Sequence, residues 1–323
     1  MVNLKKIFFY LLIFFLINIS VFAADIKVGN IRLVLNERTG AYVLYYLDGR
    51  RYEQLFNRSQ STSYTSIYID GNVSRLGSRP FRTRYENRNG IPSIIFESPN
   101  LRVTKSFTFI MTGNSQQING VMVTYNVLNI GNTNTIVGLR MLLDTSLGEG
   151  RGRIPFISNS RNITDETLIR DASGERYWIS RGPKVSLMGS IRNPLDNTEK
   201  APDFIYFANW KRLNEAPWML DYSEGRAFGN DSAVCYFYEP ALLSPGSDFS
   251  YSFFLTAEDA DWYNIPVQNV IETLSVNPVE SERLDMNILI ELQETLRRFI
   301  SGQINLTEQE LFEIERTIER YRQ

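Results

Sequence analysis

Residues 120–152, GVMVTYNVLNIGNTNTIVGLRMLLDTSLGEGRG, alternate between apolar and mixed positions, and this period of two constrains the chain more than any other feature. Val121, Val123, Tyr125 and Val127 share one face of a strand, while Met122, Thr124, Asn126 and Leu128 share the other. After the polar run NIGNTNT, which is rich in turn residues, Val137, Leu139, Met141 and Leu143 alternate with Ile136, Gly138, Arg140, Leu142 and Asp144. The spacing predicts a hairpin with one wholly apolar face. A sheet with such a face must bury it against a second layer, so the hairpin implies a large antiparallel β-sandwich.

The same signal recurs on both sides of this stretch. Strands are predicted over 31–35, 41–46, 65–70, 81–86, 92–98, 101–110, 185–191, 203–210, 232–238 and 248–257, divided by turn sequences such as NERTG, LDGRR and NRNG. No internal repeat divides residues 24–258, so one double-sheet domain is the simplest reading. Residues 152–202 are polar and poor in alternation, and read either as an ordered excursion across the sandwich or as a plain insertion. Residues 259–323 change period. IPVQNVIETL predicts a short helix after Pro266. Leu289, Leu292, Leu296 and Phe299, then Leu311, Ile314, Ile318 and Tyr321, predict two amphipathic helices forming a C-terminal α-helical hairpin. Their apolar stripes need the sandwich, each other or another protein.

The first 23 residues read as a cleavable export signal. Lys5 and Lys6 precede an apolar run from Ile7 to Ile17, and Val21 and Ala23 supply small residues before the cut. The run is shorter than the roughly 20 residues that span a bilayer, so no stable membrane insertion is expected after cleavage. A single cysteine, Cys235, leaves no internal disulfide in an exported chain, which suits a bacterial periplasm or secretion beyond it.

Composition then narrows the chemistry. Lys and Arg total 34 against 36 Asp and Glu, which argues against nucleic acid as the main partner. Histidine is absent, removing Ser-His-Asp and Cys-His catalysis and histidine-ligated zinc. No cofactor, metal or catalytic residue is assigned. The ligand-binding candidates are Arg140, Asp144, Glu149, Trp210 and Trp218. Arg140 and Asp144 fall on the mixed face, where they either hold a polar ligand such as a sugar hydroxyl pair or form a structural ion pair. Glu149, in LGEGRG, forms with Asp144 either a carboxylate pair or cation site, or stands as a solvated loop acid. Trp210 and Trp218 lie in FIYFANWKRLNEAPWMLDY; polar residues flank both, which predicts them as the exposed members of an otherwise core aromatic run.

TYNVLNIGNTNTIVGLRMLLDTSLGEG resembles a motif of exported bacterial proteins of the galactose-mutarotase-like β-supersandwich class, some of them from spirochaetes. GNDSAVCYFYEPALLSPGSDFSYSFFLTA is similar to the closing strands of that class. The resemblance implies a supersandwich and carbohydrate-related chemistry, but mutarotases use catalytic histidine and this chain has none. The expected function is therefore a non-enzymatic periplasmic binding or assembly module with a glycan or cell-envelope protein as partner. Two alternatives stand beside it: a structural part of an envelope or periplasmic flagellar assembly docking through the terminal helices, and a carbohydrate-active enzyme using paired carboxylates.

Overall fold

The computed structural model describes residues 24–56, 61–112, 117–145, 147, 149, 155–158, 161–170, 175–196, 198–216, 218–257 and 268–269. These belong to the larger of two units into which the chain divides, Met1–Ser275. The export signal over 1–23 and the C-terminal helical hairpin lie outside the described residues. No helix among them is long and apolar enough to cross a membrane.

Along the chain, β1 (Ala24–Val28), β2 (Ile31–Leu35), β3 (Tyr42–Asp48) and β4 (Arg51–Gln54) form a four-stranded meander. Next come β5 (Tyr64–Ile69), β6 (Asn72–Arg75), β7 (Arg82–Arg88), β8 (Ile91–Glu97), β9 (Leu101–Met111), β10 (Gly120–Asn129) and β11 (Thr135–Leu143). Then follow β12 (Phe156–Ser158), β13 (Arg161–Ile163), β14 (Thr167–Ile169), β15 (Tyr177–Arg181) and β16 (Ser186–Ser190). The described chain closes with β17 (Phe204–Asn209), helix α1 (Trp210–Glu215), β18 (Ser232–Leu243), β19 (Asp248–Ala257) and β20 (Gln268–Asn269). A ten-stranded sheet runs β13-β12-β15-β16-β19-β10-β9-β8-β7, with β20 also paired to β9, and a six-stranded sheet runs β14-β17-β18-β11-β5-β6. Every pairing is antiparallel. The mainly β architecture expected from the alternation is present.

The expected hairpin is not. β10 pairs with β9 and β19, whereas β11 pairs with β5 and β18, so NIGNTNT crosses from one sheet to the other. Both strands keep the expected alternation, but their apolar faces meet across the sandwich instead of lying side by side. Val121, Val123, Tyr125, Val127, Val137, Leu139, Met141 and Leu143 all belong to the central core, each burial worth about 1.5–3 kcal/mol. Asn129 holds the crossing in shape. Its buried Nδ2 donates to Thr133 O at 2.8 Å and to Leu243 O at 2.9 Å, and its Oδ1 accepts from Gly131 N at 2.9 Å. Leu243 ends β18, and residues 244–247 make a second crossing to β19 beside the first, joined by Gly246 N to Asn129 O at 2.9 Å.

Aromatic side chains tie the two layers together. Tyr238 of β18 stacks on Tyr251 of β19 with centroids 3.8 Å apart, and Tyr236 stacks on Phe253 at 4.8 Å. The buried Tyr236 hydroxyl accepts from Trp178 Nε1 at 2.7 Å and donates to Ser190 O at 2.6 Å, so its polar end is satisfied inside the core.

Of the two readings of residues 152–202, the described residues fit the ordered excursion across the sandwich: they carry β12 to β16, four of which extend the ten-stranded sheet while β14 joins the six-stranded one. Runs such as FIS and TLI are too short to show alternation by themselves, and pairing with longer strands holds them. One further expectation is corrected. Gln268 and Asn269, inside the predicted helix after Pro266, pair as a strand with Met111 and Ile110, because β8 pairs with β9 only over Arg102–Ser106 and leaves the backbone beyond it open to partners that local propensity does not anticipate.

Candidate functional site

The five predicted binding residues are placed in two settings. Arg140, on the outer face of β11, is only 2% exposed. α1 and the segment behind it cover that face with a small apolar cluster built on Leu142, Tyr206, Leu213, Cys235 and Phe237. The Arg140 guanidinium donates to Leu213 O near the C-terminal end of α1, where carbonyls lack helical partners. Burial lowers its pKa, yet the Cys235 thiol and the Tyr64 and Tyr206 phenols outweigh that and leave it raised. Trp210 and Trp218 belong to the same cover and are half-buried, not exposed. Trp210 Nε1 donates to Thr62 O at 2.9 Å, and Trp218 packs on Phe237 at 4.9 Å and Tyr68 at 5.5 Å. An amphipathic sheet face with a polar sequence around it looks exposed until a later segment folds over it. Trp218 stands over Gly138, and at about 3.3 Å per residue Asp144 lies roughly 20 Å further along. Arg140, Trp218 and Asp144 therefore do not converge.

Asp144 and Glu149 do come together, and Asp231 joins them, with carboxylate oxygens all within 4.8 Å of one another. The end of β11 places Asp144, whose N–H donates to Ser63 Oγ at 2.9 Å. Glu149 Oε1 accepts from Ser232 N at 3.2 Å. Burial, with Asp144 and Asp231 adding repulsion, pushes the Glu149 carboxyl up to about 7 against the Ser232 N–H. Burial also raises Asp231. An all-oxygen set of this kind suits a hard cation such as Ca²⁺ or a shared proton. Asp231 is far from the other two in sequence, and only the β11–β18 pairing makes it their neighbour. The buried Ser232 hydroxyl belongs to another face: alternation along β18 puts it with Val234 and Tyr236, toward the core.

A polar surface that sequence reasoning did not single out lies on the outer face of the ten-stranded sheet. Ser93, Ser106, Thr124 and Ser252 stand opposite one another on β8, β9, β10 and β19, forming a row of hydroxyls spaced by about 4.8 Å. Thr104, Asn126 and Ser250 form the adjacent row. Thr124 Oγ1 and Ser252 Oγ are 2.9 Å apart, and Asn126 Nδ2 donates to Ser250 Oγ at 3.1 Å and to Asp248 Oδ2. At the end of the first row Ser252 Oγ donates to Glu199 Oε1 at 3.0 Å, while Asn193 Nδ2 donates to Oε2 at 2.7 Å. Burial raises the Glu199 carboxyl, and these two hydrogen bonds oppose the rise. The signal was present in Thr124 and Asn126, which alternation already set on the face away from the core. Local alternation does not reveal their partners on β19, because which strands pair is set by contacts far apart in sequence.

Neither a protein-family model nor a curated protein sequence matches the chain. Among solved structures it is similar to a galactose mutarotase-like protein from Lactobacillus casei, at 11% identity over 73% of this chain and 99% of that one, with a TM-score of 0.43. It is also similar to the GalM/aldose epimerase homologue from C. elegans, at 8% identity, 73% and 99% coverage and a TM-score of 0.42. A polysaccharide lyase is similar at 12% identity over 74% of this chain, with a TM-score of 0.40. The chain spans 34% of that lyase. The first two of these neighbours are galactose mutarotase-like and aldose epimerase-like proteins. At such identities and scores no residue role passes from them to this chain.

Proposed function

We propose that this protein is an exported bacterial binding module, working in the periplasm or beyond it, that takes a polyhydroxylated ligand of the glycan class without transforming it. The observation that carries this reading is the hydroxyl row Ser93–Ser106–Thr124–Ser252 ending at Glu199. The long charged side chains Arg84, Glu86, Glu97 and Arg102 gather toward the β7 edge of this sheet face, while its middle carries short hydroxyls and an amide. Such groups both donate and accept at fixed spacing, which is what recognition of sugar hydroxyls requires. Absence of histidine from the chain agrees with binding in place of acid–base turnover. Export rests on Lys5, Lys6 and the apolar run that precedes Val21 and Ala23.

The test is a glycan array followed by calorimetry with Thr124→Val and Asn126→Leu. Each variant is expected to weaken binding about tenfold or more, the effect of one lost hydrogen bond with its partner left unsatisfied. Unchanged affinity in both variants removes this surface from consideration. A second reading, a carbohydrate-active enzyme, is favoured by one observation, the Glu149 carboxyl held near 7 beside Asp144. Turnover on a glycan panel that disappears in Glu149→Gln would establish it in place of simple binding.

A further inference from the structure

Lys105 occupies a position where β9 calls for an apolar residue. Val103 and Phe107, its neighbours on the same face, are fully buried, and Lys105 itself is 3% exposed. Nζ donates to Gly40 O at 2.8 Å. The rings of Tyr42, Tyr125 and Phe96 surround it with centroids at 4.9, 5.4 and 5.9 Å. Gly40 belongs to the β2–β3 turn and has φ +66°, and a Cβ there would come within 2.2 Å of Phe96 Cζ. The turn of the four-stranded sheet is thus pressed onto the interior of β8 and β9, with Lys105 as its polar fastening.

Among the described residues, the groups that face Lys105 offer it no anion. β3 presents the Tyr42 phenol and β10 the Tyr125 phenol, which is bonded to Thr65 Oγ1 at 2.7 Å. β18 adds Tyr236, which acts on Tyr42, and β8 supplies Phe96 and Ile94. The turn contributes a carbonyl. An ammonium has three donors to satisfy, and aromatic faces compensate it only in part. Burial alone brings the amine down to about 7.

We infer that Lys105 is a pH-sensitive latch: as a neutral amine it fastens the β2–β3 turn to the sandwich, and protonation within the aromatic enclosure loosens that attachment. When the turn opens or the chain unfolds, the amine returns to the ordinary lysine value of 10.5. The closed state then binds fewer protons than the open state between the two values, so stability rises with pH across that window. The stabilisation is lost as pH falls toward about 7, and the curve flattens below it.

The experiment measures urea unfolding and backbone hydrogen exchange of the full chain between about pH 7 and 9.5, below the range where free tyrosines ionise. The wild-type unfolding constant is expected to grow toward tenfold for each pH unit lowered. Exchange in Ile31–Leu35 and Tyr42–Asp48, corrected for intrinsic rates, should accelerate in step, and Lys105→Met should lose this slope, keeping only the opposite one from Glu149 near pH 7 and from Cys235, whose thiol burial raises from 9.0. A wild-type slope retained in Lys105→Met overturns the latch, as does exchange in those strands that ignores pH. Should Lys105→Met fail to fold, titration of the Lys105 Cε resonance in the wild type decides instead: a midpoint near 7 supports the latch and one near 10 refutes it.

Discussion

Ser252 Oγ donates to Glu199 Oε1 at 3.0 Å, fastening the segment that follows β16 to the outer face of β19. Asn193 holds the other carboxylate oxygen at 2.7 Å, so the hydroxyl row ends at an acid whose lone pairs are already directed. Glu199→Ala is therefore expected to weaken ligand binding by about 10- to 100-fold, as loss of a charged hydrogen-bonding group does. Calorimetry against the best array ligand checks this. Thr124→Val provides the control, since it should impair binding while changing unfolding by about 1 kcal/mol or less.

Glu166 and Arg212 clasp the cover on the six-stranded sheet. Arg212 Nε and Nη2 each reach a Glu166 oxygen at 3.0 Å, and Ser223 N donates to Oε1 at 2.9 Å. The Glu166 side chain is 1% exposed and that of Arg212 23%. Breaking a pair of this kind typically costs about 3–5 kcal/mol, and the partial exposure of Arg212 places Glu166→Ala toward the lower end. Cys235 lies under the cover, so its reaction with an aromatic disulfide reagent should quicken in Glu166→Ala. Equal reactivity in wild type and variant would show that the clasp does not hold the cover down.

Asn129 organises the two sheet crossings through bonds to Thr133 O and Leu243 O. Asn129→Ala removes two donors and an acceptor from a fully buried position and leaves carbonyls without partners. A loss of about 2–4 kcal/mol in urea unfolding is expected. A loss below about 1 kcal/mol would mean that the crossings are held by the flanking strands alone.

Glu149 gives stability an acid-side pH dependence separate from that of Lys105. Its carboxyl is raised from 4.5 to about 7, so the folded state holds its proton more tightly than the unfolded state. This contribution is fully present below 4.5 and is lost as pH rises through about 7. Melting temperature should therefore decline across that interval in the wild type and decline less in Glu149→Gln. Asp231, raised from 3.8 by burial, leaves a residual slope at lower pH. A wild-type profile that does not change in Glu149→Gln would rule out this assignment.

Legibility in the sequence differed residue by residue. Strands such as Leu101–Met111 and Asp248–Ala257 were readable because half of their residues must face a core, and that requirement is written at every second position. Lys105 was equally readable, a lysine between Val103 and Phe107 on an apolar face, and its meaning required only that the exception be noticed. Asp144 and Glu149 were close enough along the chain to be suspected together. Asp231 and Glu199 carried no such mark, because their neighbours come from strands far away in sequence.

Alternation along the chain by itself determined that this protein folds as strands with buried and exposed faces, since side-chain direction in an extended backbone is a local property. It also determined which residues of β10 and β11 turn inward. Which strands pair was decided only in the tertiary structure. A turn such as NIGNTNT satisfies its backbone equally well in a hairpin or in a crossing, and the choice falls to the arrangement that buries both apolar faces against each other. That choice sends β10 to β19 and β11 to β18, and with it come the hydroxyl row, the three-carboxylate cluster and the enclosure around Lys105.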